Sequence, residues 1–141
     1  MTIFDNTEYQ IVNLAYPKIK FICKGKRIDT NKWVTGYYLP RVDTEDIDSS
    51  QWGHYIIDSE SLVEYEVNES SVCPYIGTID VCGKQIFILD KILTVMGPGI
   101  VHYDACNSNY VVHMDSGQDI TITNLIHFGD IEVISSILDD K

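Results

Sequence analysis

Two short runs, His102-Tyr103-Asp104 and His113-Met114-Asp115, each set an imidazole and a carboxylate two residues apart. On a β-strand, residues i and i+2 share a face. Each pair can therefore be a couple in which the carboxylate orients the ring. Two couples on neighbouring strands would form a metal or general acid–base site. Cys106 lies between them in the chain and is the candidate nucleophile, with His102 or His113 as its base. The plainer reading of each couple is a surface hydrogen bond, and an enzyme ranks last of three functional classes. His54 and His127 lie on other segments, so no two histidines have the local spacing of a ligand pair. Phosphate-cradling, nucleophile-elbow and zinc-protease motifs are absent. No catalytic residue, metal or cofactor is expected.

Charge gives two further candidates. Lys24, Lys26 and Arg27 surround Gly25, with Trp33, Tyr37 and Tyr38 close behind. Cations interleaved with aromatics can hold a phosphorylated ligand or single-stranded nucleic acid. The plainer reading is a solvated hairpin whose lysines protect its edge. Between Val42 and Glu69 there are nine acids and no Lys or Arg. Asp43, Glu45, Asp46 and Asp48, followed by Asp58, Glu60, Glu64, Glu66 and Glu69, can imitate a nucleic-acid backbone and engage a basic groove. The net charge of −11 disfavours nucleic acid and anionic membranes as partners. The plainer reading here is a solubilising surface.

The 141 residues fit one domain, and 45% hydrophobic content argues against wholesale disorder. Cys23, Cys73, Cys82 and Cys106 are dispersed without CxxC spacing. Residues 1–16 carry Asp5 and Glu8 and lack a signal-peptide pattern, and no stretch approaches membrane-span length. The expectation is a cytoplasmic protein whose cysteines are reduced core fillers that bind no metal.

Elements that could position these residues read mostly as strands. Residues 1–17 form an N-terminal appendage closed by Pro17. Ile19, Phe21 and Cys23 alternate with Lys18, Lys20, Ile22 and Lys24, close to a period-2 pattern, Asp29-Thr30-Asn31 turns the chain, and Lys32 to Leu39 continues with Trp33, Val34, Tyr37 and Tyr38. Gly36 inside that run implies a bulge or a close strand approach. Arg41 to Gln51 reads as an exposed loop. Strands are expected at Tyr55–Ile57, Leu62–Val67, Cys73–Asp80, within Gln85–Val95, at Ile100–Tyr103, Tyr110–Met114 and Ile131–Ile137. Turns fall at Asp58–Ser61, Cys82–Lys84 and Ser116–Gln118, and Gly97-Pro98-Gly99 is the clearest of all. Helix is confined to the N-terminal segment and the stretch near Thr123–His127. The fold class is mainly β: a small barrel or sandwich of short antiparallel strands with a short N-terminal appendage.

Lys20–Leu39 (KFICKGKRIDTNKWVTGYYL) and Tyr75–Ile92 (YIGTIDVCGKQIFILDKI) together resemble the YopX family of phage and prophage proteins. Matching positions include Phe21, Gly25, Lys26, Arg27, Trp33, Val34, Gly36, Tyr37, Tyr75, Gly77, Asp80, Gly83, Lys84, Ile86, Phe87, Asp90 and Ile92. The closing Ile131–Ile137 is similar as well. Two departures stand out. The family's Glu-Gly-Asp-Ile turn is here Ile88-Leu89-Asp90-Lys91, without its glycine, and the closing Gly-Asn is Ser135-Ser136. The resemblance runs from Lys20 to about Ile137, residues 18–141 are expected to form one such domain, and it implies a β fold and a phage origin. It carries over no catalytic residue. The leading expectation is a non-enzymatic protein that binds a host protein with a basic surface, a defence or nucleic-acid-processing factor. Asp43, Glu45, Asp46, Asp48, Glu60, Glu64 and Glu66 would carry that contact. The alternative is ligand or nucleic-acid binding through the basic-aromatic hairpin.

Overall fold

The structure is a computed structural model and describes residues 22–42 and 52–140. Of these, 58% are in strands and 9% in helix, which settles the class as mainly β. Eleven strands form two antiparallel sheets, one curled into a half-barrel. The first holds β1 (Ile22–Lys26), β2 (Trp33–Val42), β3 (Trp52–Asp58), β4 (Glu64–Glu66), β5 (Cys73–Ile79) and β6 (Gln85–Phe87), in the order β4-β3-β2-β1-β5-β6. The second holds β7 (Asp90–Thr94), β8 (Gly97–Asp104), β9 (Asn109–Met114), β10 (Asp119–Thr121) and β11 (Glu132–Ser136), in the order β10-β9-β8-β7-β11. The expected appendage, residues 1–17, lies outside the described residues.

β2 forms because aromatic and β-branched residues fill it, and alternation buries Val34 while exposing Tyr37. Gly36 pairs with Cys23 and Asp58, and a Cβ there would sit 1.9 Å from the Ile57 carbonyl oxygen. The close approach expected of this glycine is therefore present. Carboxylates build the turns. Asp58 Oδ1 accepts the amides of Glu60 and Ser61, Asp80 Oδ1 those of Cys82 and Lys84, and Asp104 Oδ1 those of Cys106 and Asn107. The one α-helix among the described residues, α1 (Ile122–Phe128), is capped by Thr121 Oγ1 accepting from Asn124 N at 3.2 Å. Ile122 and Leu125, three residues apart, face inward from it.

Two expectations are corrected. Gly97-Pro98-Gly99 is not a turn but the start of β8, paired with Thr94, Leu93 and Ile92; the turn is Val95-Met96. A Cβ on Gly99 would lie 2.5 Å from Val112, so this glycine serves strand contact rather than chain reversal. Arg41 and Val42 belong to β2, not to a loop.

One apolar cluster joins Ile92, Val101, Val112 and Met114 of the second sheet to Ile122 and Leu125 of α1, Ile131 and Ile86 of β6. A smaller one gathers Cys23, Val34, Ile56 and Val67 on one face of the first sheet. Each fully buried aliphatic side chain contributes about 1.5–3 kcal/mol.

The short link from β6 to β7 has a backbone exception. Leu89 adopts φ 70°, a left-handed conformation that a branched side chain disfavours. Two hydrogen bonds hold it there: its amide donates to Val101 O at 2.8 Å, and its carbonyl accepts from Ile137 N at 3.0 Å. Leu89 occupies the place where the YopX-like pattern has glycine. Leu89→Gly is therefore expected to hold or raise stability, by up to about 1 kcal/mol, read as the midpoint of urea unfolding; a clear loss would show that the side chain's packing outweighs the strain.

Asp80 supplies a pH test. Burial raises its carboxyl, yet the amides of Val133, Lys84 and Cys82 outweigh that and hold it below the ordinary aspartate value. A depressed folded-state pKa stabilises the fold above the unfolded value, near 4, and that contribution disappears as pH falls through the folded value. Asp80→Asn should lower the thermal midpoint at neutral pH and flatten its decline below about pH 4.

Candidate functional site

Lys24 and Lys26 of the basic segment turn inward, while Arg27 is partly exposed and Lys32 is exposed. β1 is flanked by β2 and β5, so it is no edge, and Lys24 and Lys26 point to the face covered by β7 and the C-terminal turn. Lys24 Nζ lies 2.7 Å from Asp90 Oδ1, with side-chain exposures of 13% and 1%. Asp90 Oδ2 also accepts Phe87 N at 2.9 Å. The ammonium sits 4.6 Å from the Trp33 ring centre and 5.1 Å from that of Phe87. Lys26, 4% exposed, donates to the Asp139 carbonyl at 3.0 Å and lies over Trp33 as well. Trp33 Nε1 donates to Asp139 Oδ1 at 2.8 Å. Arg27 grips Asp29 with two hydrogen bonds and stacks on Tyr65. The solvated hairpin expected for Lys24 and Lys26 is thus corrected. A cation within three residues of Lys26 and Arg27 in sequence is committed to an aspartate 66 residues along the chain, which local pattern does not reveal.

Burial pushes the Asp90 carboxyl above the ordinary aspartate value, against the lowering pull of the Lys24 and Phe87 donors. Burial likewise pushes the Cys23 and Cys73 thiols up to about 11, so they stay protonated. These two are core residues as expected; Cys82 and Cys106 stand exposed on turns and are not core fillers.

The acidic residues divide. Asp43, Glu45, Asp46 and Asp48 lie outside the described residues, but the ends of their segment, Val42 and Trp52, are paired at one end of the β2–β3 hairpin. Glu60 is in the turn at the other end of β3, about 20 Å away for a strand of this length. Glu64 and Glu66 share one face of β4, next to Ile57 and Tyr55. Arg41 forms a two-pronged pair with Glu64 and stacks 3.9 Å from the Tyr55 ring centre. Tyr37 and Leu39 extend this face and are exposed. It is an apolar, aromatic surface bordered by carboxylates. On the opposite face, Tyr38 and His54 stack, with Tyr38 Oη 2.6 Å from His54 Nδ1 and His54 Nε2 3.4 Å from Glu69. Sequence spacing held no sign of this chain of contacts. Burial raises the Tyr38 hydroxyl, which removes any phenolate role at neutral pH.

The histidine candidates do meet. β8 and β9 are neighbours, and the His102 and His113 rings lie edge to face with centroids 6.3 Å apart. They line an open depression of about 490 Å³ with Asp104, Val111 and Asp119. The partner of His113 is Asp119 of β10, 2.6 Å from Nδ1, not Asp115. Asp104 is taken up by its own turn, including Asn107 Nδ2 at 2.7 Å. Cys106 does not line the depression. Among the described residues, no three or more His, Cys, Asp or Glu are grouped to hold a metal ion. The His113–Asp119 couple is more than half exposed on both sides, where water competes for every contact.

Comparison of the chain with family profiles, curated proteins and solved structures finds no match. No helix among the described residues is long and apolar enough to cross a membrane.

The Lys24–Asp90 pair gives a stability test. Lys24→Met keeps an apolar stem over Trp33 but leaves a buried carboxylate without its cation, which should cost about 3–5 kcal/mol. Adding Asp90→Asn removes the orphaned charge and should restore part of the loss. A double-mutant cycle by urea unfolding reads this coupling; additive losses would show that the pair is not coupled.

Proposed function

We propose that the chain is a phage-type, non-enzymatic binding protein that acts stoichiometrically on a host protein with a basic surface. The observation that carries this reading is the direction of its cations. Lys24, Lys26, Arg27 and Arg41 are each engaged by this chain's own groups, while Glu60, Glu66 and Glu69 stand exposed. Glu60 and Glu66 therefore leave negative charge exposed beside β3 and β4, where Arg41 neutralises Glu64. Tyr37 and Leu39, exposed on the face that carries Glu64 and Glu66, give an acidic contact the apolar anchors that binding energy concentrates on. The resemblance to the YopX family supports the phage origin, and the left-handed Leu89 at the pattern's glycine position agrees with it. The inward use of Lys24 and Lys26 speaks against the basic-hairpin alternative. The exposed His113–Asp119 couple, without a nucleophile in its depression, speaks against an enzyme.

The test is affinity capture from bacterial lysate, then association kinetics with the captured protein. Changing Asp43, Glu45, Asp46 and Asp48 together to amides should slow association roughly tenfold and leave folding unchanged. The same slowing should appear in the unaltered protein as salt passes about 0.1 M, where screening acts within about 10 Å. Full on-rate and affinity in the quadruple variant would overturn the reading.

A further inference from the structure

Away from the acidic hairpin, a second surface gathers apolar side chains in water. Ile79 and Val81 extend from the end of β5, Leu93 and Val95 from the end of β7, and Ile126 from α1. All five are exposed, Val81 at 57% and Val95 at 62%. They line two adjoining depressions of about 280 and 290 Å³ that share Val81, Asp130 and Ile131. Single exposed aliphatics are ordinary, but five adjoining ones mark a contact surface. The shelf is also held in shape. Val81 N donates to Ile131 O at 2.9 Å, and Asp80 Oδ2 accepts Val133 N at 2.9 Å. Val95 lies against Gly129, where a Cβ would come within 2.6 Å of it.

The rim decides the occupant. The exposed charged residues here are Asp130 and Glu132, and neither depression is lined by Lys or Arg. A second copy would bring the same acids together on two chains that each carry −11. Nucleic acid and anionic lipid meet the same repulsion. We infer that this shelf docks a cationic segment of the basic partner, taking its apolar side chains against Val81 and Val95 while Asp130 and Glu132 pair with its Lys or Arg. This rests on the reading of the chain as a binder of a basic protein, and adds where the apolar part of the contact is made.

The full chain is titrated with two synthetic peptides of equal charge, one alternating Lys with Leu, the other Lys with Ser. Amide NMR shifts locate each peptide and give its affinity. The Lys/Leu peptide should bind roughly tenfold more tightly, the gain expected from burying a side chain or two. Its shifts should centre on Val81, Val95, Ile126 and Asp130. Val81→Ser with Val95→Ser should erase the advantage and leave Lys/Ser binding as it was. Leu93→Ser with Ile126→Ser serves as an independent pair, and both variants should melt as the parent does. Equal affinity for the two peptides, or shifts elsewhere, overturns the shelf while leaving salt-sensitive acidic binding intact. Binding of neither peptide overturns both readings. A dimer in sedimentation that the Val81→Ser, Val95→Ser variant dissolves assigns the shelf to a second copy and overturns the proposal.

Discussion

The Lys24–Asp90 ion pair ties the two sheets together, and the surrounding structure is arranged to make it tolerable. Taking both charges out of water costs several kcal/mol per ion before their attraction is counted. The aspartate offsets part of that by accepting Phe87 N, and the ammonium by lying near the Trp33 and Phe87 rings. Trp33 is in turn fixed by Asp139, whose Oδ2 also accepts Ser136 N at 2.9 Å. One ion pair therefore sets the position of β1, the start of β7, the β6 end and the C-terminal turn. Hydrophobic burial joins the sheets as well, through Ile86 of β6 packed with Ile92, Val101 and Val112, and the ion pair adds a directional contact to it.

The same logic explains which residues the segments Lys20–Leu39 and Tyr75–Ile92 contain. Gly36 admits the β3 backbone, Asp80 joins the β5–β6 turn to β11, Asp90 holds Lys24, and Gly77 and Gly83 have φ of 90° and 85°. Those positions have direct structural work, mostly in turns and between sheets. A pattern made of such residues specifies a fold before it specifies a reaction.

Strand and turn periodicity was legible because it is local. β-branched and aromatic runs, the turns at Asp58–Ser61 and Cys82–Lys84, and the α1 stretch all depend on neighbours within a few residues, whereas Asp104, read as the partner of His102, is taken up by its own turn. Long-range choices were not legible. Lys24 reads as a surface cation until Asp90, 66 residues away, is set beside it. His113 has Asp115 at strand spacing, yet the cross-strand register delivers Asp119. Gly97-Pro98-Gly99 has turn composition, but its glycines answer to the close packing of β9 and to a positive φ at Gly97. The acidic surface was legible as charge and not as shape, since Glu60 and Glu64–Glu66 fall at different places around β3.

Catalysis and binding make different demands on titratable groups. A catalytic couple needs partial burial, so that its charges act in a low dielectric and its pKa values are tuned. Here the buried titratable groups are committed to structure: Asp90 to Lys24, and Cys23 and Cys73 to the interior. Among the described residues, the groups left in water include many carboxylates, the open His113–Asp119 couple, Lys32, Lys84, His127, Cys82 and Cys106. Exposed carboxylates are weak as catalysts and effective at range, where they raise encounter rates and reject like-charged partners. Their field gives little affinity by itself, because exposed pairs are each worth at most about 1 kcal/mol. The proposed binding role needs an apolar surface beside the charge. The fold leaves two, at Tyr37–Leu39 and at Val81–Val95, and each is bordered by acids.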